Sequence, residues 1–211
     1  MKGRLILFNI FGILVVAALA IGGVYYYNQN ANYIKTEDAH VTGDIAKIMS
    51  PIGGTVANWA EKEGDTVSKD AVVGNVSDGT NSVSVKAPMN GTIIQNGVKE
   101  GQMVQPGQTL VQIVDMDKLY VTANIDETDL DDVEVGADVD VTIDGDADAT
   151  LKGTVEEIGH ATNSVFSLLP QQNTSGNYTK VTQKIPVKIS ISGYSEKVVP
   201  GMNAEVSIDK N

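Results

Sequence analysis

Asp144-Gly145-Asp146-Ala147-Asp148 opens like a calcium-binding EF-hand loop, with carboxylates at alternate positions where such a loop presents oxygen ligands. The pattern then fails. Ala149 stands where the sharp turn needs Gly, and Val155 stands where a bidentate Glu closes the site. The acids read instead as the outward positions of Val-Asp-Val-Thr-Ile-Asp on a solvated strand face, so no metal site is assigned. His40 and His160 are the only histidines and there is no Cys, which removes thiolate ligands, a cysteine nucleophile and disulfides and leaves little for zinc or a catalytic triad. Both histidines read as structural. Met49, Met89, Met103, Met116 and Met202 scatter over strand positions and read as core filling, not as a soft-metal relay. No Gly-rich phosphate loop precedes a helix, and no G-x-S-x-G occurs. The sequence assigns no catalytic, cofactor-binding or metal-binding residue, and an enzyme is not expected.

One cluster stands apart. Phe166, Leu168 and Leu169 form an apolar centre inside a stretch from Thr162 to Tyr178 otherwise rich in Asn, Thr, Ser, Gln and Gly. A long loop with such a centre either folds against its own domain or meets a partner. These three residues are the candidate partner contact.

The elements that must position this loop begin with an apolar run. Residues 5–27 carry no charge and one polar interruption, Asn9, and about 20 apolar residues suffice to span a bilayer. Lys2 and Arg4 precede the run and the next basic residue is Lys35. The positive-inside rule then predicts a single-pass protein of the cell membrane, with a cytoplasmic N-terminus and the bulk of the chain extracytoplasmic. Ala18-Leu19-Ala20 fits a signal-peptide cleavage site, but the run continues seven residues beyond it, which favours an anchor. All 27 acids lie outside the run, against 15 Lys and Arg in the whole chain. That balance excludes nucleic acid as a partner and keeps the exported part off an anionic membrane surface.

After the polar linker Asn28–Asn32, Val, Ile and Thr dominate, with turn residues every 8–12 positions, an all-β pattern. Within it lies an internal repeat. Ser50-Pro51-Ile52-Gly53-Gly54-Thr55-Val56 recurs as Ala87-Pro88-Met89-Asn90-Gly91-Thr92-Ile93. Lys62-Glu63-Gly64-Asp65-Thr66-Val67 recurs as Lys99-Glu100-Gly101-Gln102-Met103-Val104, at the same offset of 37 and without a gap. Two small β units, neither able to bury its own apolar face, are predicted to pack about a pseudo-twofold. Trp59 is expected to be half-buried there.

These half-motifs resemble the split lipoyl/biotinyl halves of membrane fusion proteins, the HlyD/EmrA-type transporter adaptors. Thr36–Gly43 resembles the strand that leads into that family's domains. Phe166–Asn173, Gly176-Asn177 and Gln183–Val187 resemble its EmrA-like branch. The resemblance implies a lipoyl-like barrel-sandwich hybrid and a small β-barrel behind one transmembrane helix. The expected divisions are a cytoplasmic tip (1–4), the helix (5–27), a linker and leading strand (28–47), the lipoyl-like domain (48–115) and the barrel (116–209), with the Thr36–Lys47 strand crossing back into the barrel.

The chain departs from the family at one place. Most members separate the half-motifs by a long coiled-coil hairpin, whereas here Val76 and Val85 are joined only by residues 77–84. Asp78-Gly79 predicts a tight turn and hence a plain β-hairpin. Without that arm a single-membrane envelope fits better than a bridge to an outer-membrane channel. A lipoyl or biotinyl carrier would present Lys at this tip. The nearest, Lys86, falls in the strand beyond it, so no cofactor is expected. The resemblance implies an adaptor subunit of an export system, docked on an integral-membrane efflux transporter of major-facilitator or ABC type, with self-association as a further expectation. A stand-alone extracytoplasmic binding or sensor module is the alternative.

Overall fold

The computed structural model describes residues 12–20, 32–146, 150–166 and 182–210. Residues 12–20 are helical and exposed. Among the described residues no helix is long and apolar enough to cross a membrane, and the remainder of the expected anchor lies outside them. From Tyr33 onward the described residues are all-β, with short 3-10 turns, and the chain divides into two compact units.

The first unit, residues 41–120 with 199–202, holds the repeat. Its strands are β2 (Ile45–Met49), β3 (Gly54–Ala57), β4 (Thr66–Val67), β5 (Val72–Ser77), β6 (Ser82–Lys86), β7 (Gly91–Asn96), β8 (Met103–Val104) and β9 (Thr109–Val114). Each of the last four begins 37 residues after its counterpart among the first four. The two sheets run β2-β9-β7-β4 and β6-β5-β3-β8. Each therefore takes its two central strands from one copy and its two flanking strands from the other. The copies interleave instead of lying side by side.

Hydrogen bonds repeat with the strands. Ser50 N donates to Gln108 O at 2.9 Å, and Ala87 N donates to Ala71 O at 2.9 Å. Gly101 N to Val56 O and Gly64 N to Ile93 O, both 2.8 Å, form a second pair. The core repeats too: Ile48/Val85, Val56/Ile93, Val67/Val104, Val73/Leu110 and Val76/Ile113 are all buried. Burying one apolar side chain of this size contributes about 1.5–3 kcal/mol, and half of each matched set comes from each copy. Gly54 and Gly91 sit at matching close approaches, each between two neighbouring segments of its own copy. A Cβ at Gly91 would lie 2.7 Å from Val114 O, and one at Gly54 would run into the matching Ser77 O.

Two expectations for this unit are corrected. Trp59 is buried, not half-buried, because Gly74 has no Cβ and lets the indole lie directly on the β5 backbone. Met89 does pack on the core, but Met49 and Met103 are 53% and 80% exposed. They occupy outward positions of flanking strands, where period-2 alternation leads away from the core.

The second unit, spanning up to residue 40, residues 121–198 and 203–211, is a closed six-stranded barrel in the order β1-β10-β13-β12-β11-β14. Its strands are β1 (Tyr33–Thr42), β10 (Tyr120–Asp126), β11 (Asp138–Ile143), β12 (Thr150–Ile158), β13 (Lys184–Ile191) and β14 (Asn203–Asp209). Alternate residues fill the interior, among them Val121, Ala123 and Ile125, Val139, Val141 and Ile143, and Ala204, Val206 and Ile208, as expected for a small barrel. The expected Thr36–Lys47 strand is in fact two. Residues up to Thr42 run in β1, and Lys47 lies in β2 of the other unit. The break falls at Gly43, where a Cβ would collide with Val114 Cγ2 at 2.7 Å.

Candidate partner-docking site

Strand direction decides which barrel connections share an end. β1 is antiparallel to β14, β14 to β11, β11 to β12 and β12 to β13. Asp126, the last residue of β10, pairs with Lys184, the first residue of β13, so β10 runs opposite to β13. One end of the barrel therefore carries the start of β1, the end of β14, the β10–β11 connection (127–137) and the β12–β13 connection (159–183). That last connection holds the candidate contact residues. Phe166 closes a 3-10 turn, Asn163–Phe166, while Leu168 and Leu169 lie outside the described residues.

Both stems of this connection are fastened at the end of β10, one to the strand and one to the residue that follows it. On the outgoing stem Asn163 Nδ2 donates to Asn124 Oδ1 at 2.8 Å. On the returning stem Gln183 O accepts from Glu127 N at 2.8 Å. Asn124 Nδ2 in turn donates to Asp38 Oδ1 at 2.9 Å, and Thr36 Oγ1 donates to Asn124 O at 3.2 Å. Asp38 reaches this network because β1 is irregular between Thr36 and Ala39, and such a bulge re-aims side chains. Lys184 Nζ then lies 3.4 Å from Asp38 Oδ2 and 3.2 Å from Asp126 Oδ1. Burial pulls its pKa down, but the Asp126 and Asp38 carboxylates together outweigh that and hold it above the ordinary lysine value. The network is a clamp. It fixes where the loop leaves and returns.

The other residues weighed in the sequence fall elsewhere. Lys86 lies opposite Val72 on β6, whereas the hairpin tip is Asp78–Asn81. Asp78 Oδ1 accepts from Thr80 N at 2.8 Å and Asn81 N at 2.7 Å. The Asn81 and Thr80 amides hold its carboxyl below the usual range. The tip is thus a self-bonded turn without an amine. His40 and His160 are both exposed. Asp144–Asp146 forms a 3-10 turn, and residues 147–149 lie outside the described set. Among the described residues no group of three His, Asp or Glu side chains could hold a metal ion. The sequence reading missed the clamp, because Asp38, Asn124 and Lys184 converge only once strand neighbours are known.

Two family models match this chain in order: the YhbJ barrel-sandwich hybrid domain over residues 44–115 and the AAEA-like β-barrel domain over residues 118–209. YhbJ of Bacillus subtilis (strain 168), named for an efflux system, is 57% identical over 209 residues, covering 99% of this chain and 94% of that protein. The chain belongs to the membrane fusion adaptor family. It is 34% identical over 128 residues to the multidrug export protein EmrA of Escherichia coli K12, covering 58% of the adaptor described here and only 33% of EmrA. The solved periplasmic adaptor protein EmrA superposes with a TM-score of 0.56 at 14% identity, covering 85% of this adaptor and 99% of that chain, a likeness of fold. The adaptor shares the family's non-enzymatic character. The four-residue turn at Asp78–Asn81 stands where the resemblance placed a coiled-coil arm.

Proposed function

We propose that this adaptor is the membrane-anchored subunit of an export system and docks on an efflux transporter. The match to YhbJ over nearly all of both chains carries the reading. Residues 5–27 would span the cell membrane once, leaving residues 1–4 in the cytoplasm. The linker and leading strand (28–47), the lipoyl-like domain (48–115) and the barrel (116–209) would be exported. The similarity to EmrA favours a major-facilitator transporter, with an ABC exporter as the other family option, and copies of the adaptor would associate around it. The loop of Phe166, Leu168 and Leu169 would supply apolar contact.

Affinity capture of the tagged full chain from detergent-solubilised membranes of its own cell tests this. A polytopic transporter should be recovered with the wild type and lost when Phe166, Leu168 and Leu169 are all changed to Ser, with the melting temperature unchanged. Recovery of the chain alone would favour the stand-alone binding or sensor module. Unfolding of the triple variant would make the cluster core and refute the contact.

A further inference from the structure

Leaving aside residues 12–20, the large apolar side chains that the described part of the barrel unit leaves exposed are Tyr33, Val135 and Val165. All three belong to the same end of the barrel. Tyr33 opens β1, opposite Asp209. Val135 lies in the β10–β11 connection, held where Gly136 N donates to Val155 O at 2.8 Å. Val165 lies in the β12–β13 connection, behind the Asn163–Asn124 bond. Val135 and Val165 are 64% and 67% exposed. At the opposite end the β13–β14 connection leaves one such side chain, Val199, 42% exposed, on the short stretch that belongs to the first unit.

The chain also arrives at this end. Asn28–Asn32 separate the uncharged run from β1, and five residues extend at most about 18 Å. If the run is an anchor, as the proposed function has it, the tether holds this apolar rim within that distance of the membrane. Charge then selects between bilayer and protein. Asp131 and Glu134 are exposed beside Val135, Asp132 is bonded to Lys210 at 3.0 Å, and residues 126–134 contain no Lys or Arg. Lys35, Lys184 and Lys210 lie at this end too, so repulsion from an anionic lipid surface falls on the β10–β11 connection around Val135, and a protein surface bearing Lys or Arg around an apolar patch complements that connection.

We infer that the rim of Tyr33, Val135 and Val165 is the docking surface for the extracytoplasmic face of a membrane-embedded protein, apolar at its centre and basic at its edge. This rests on the adaptor reading and adds to it which end of the barrel docks and what charge it meets.

A photo-crosslinking amino acid placed singly at Val135, Val165 and, at the opposite barrel end, Glu196 in the full chain tests this in native membranes. Positions 135 and 165 should join one and the same polytopic protein, identified by its peptides, and Glu196 should not. The yield at 135 should fall as salt rises, and Asp131→Asn with Glu134→Gln should lower the low-salt yield several-fold and flatten that dependence. Adducts to phospholipid, adducts to another copy of the chain, a salt-independent yield, or a product only at 196 would each overturn the inference. If affinity capture still recovers a transporter while 135 and 165 stay silent, the adaptor reading stands and the docking end is wrong. If neither method yields a polytopic protein, both fall.

Discussion

Alanine at Gly54 and at Gly91 tests the equivalence of the two repeat copies directly. Each added methyl meets a backbone carbonyl, Ser77 O or Val114 O, and a carbonyl in a paired strand cannot rotate aside as a side chain could. Overpacking a tight site costs about 1–3 kcal/mol, and backbone contact places both variants at the upper end. Restricting the unfolded chain returns about 0.4–1 kcal/mol, leaving a net loss near 2 kcal/mol at each position. For a domain of this size that lowers the melting temperature by about 8–16 °C. Trp59, the one tryptophan, lies in the core of this unit, so its fluorescence can follow thermal unfolding of the full chain in detergent. Gly53→Ala is the control, since its methyl would find only ordinary contact with Pro106 Cδ at 3.4 Å. Melting of either variant within about 2 °C of the control would refute the close-approach argument. Losses differing by more than about 1 kcal/mol would refute the equivalence of the two copies.

Gly74→Ala should push Trp59 off the β5 backbone, and a red-shifted emission maximum in the folded protein would record its move toward water. Lys184→Met should cost at most about 1 kcal/mol, because a partly exposed ion pair is screened. The gap from wild type should narrow with salt; since the folded lysine pKa is raised, its contribution is complete below the unfolded value near 10.4 and disappears as pH rises through the folded one, which melts at stepped pH can follow. Asp78 has its folded pKa lowered, so the sign is opposite. Asp78→Asn should weaken the hairpin at neutral pH, with the difference complete above the unfolded value near 3.9 and lost as pH falls through the lower folded one, read by amide exchange at Thr80 and Asn81.

Much of the sandwich unit was legible because its repeat is ungapped. The offset of 37 read from Pro51/Pro88 and Gly64/Gly101 also places β2 against β6 and β5 against β9, where the side chains differ. Interleaving was not legible, since identical spacing fits two copies side by side as well as two copies exchanged. The exposure of Met103 escaped for a related reason: a strand as short as Met103–Val104 shows no alternation to read. In the barrel, Val139, Val141 and Ile143 announced an inward face by period alone. The clamp of Asp38, Asn124 and Lys184 did not, because its members lie far apart in the chain and meet through strand order and a bulge.

Exchange of strands between the copies has a consequence during synthesis. When residue 77 has been made, the first copy is complete as sequence, yet β3 and β5 lack the β8 strand that pairs beside β3, and β4 lacks β7. β3 and β5 can pair with each other at once, but the sandwich around them is complete only when β9 has been made, another 37 residues later. At about 5–20 residues per second the wait is roughly 2–7 s, far longer than a hairpin needs to form. Val56, Val73 and Val76, destined for the core, remain incompletely buried throughout. The first half is therefore held open by its own architecture until the second arrives, and this interval is when a factor that binds unfolded chain would find it.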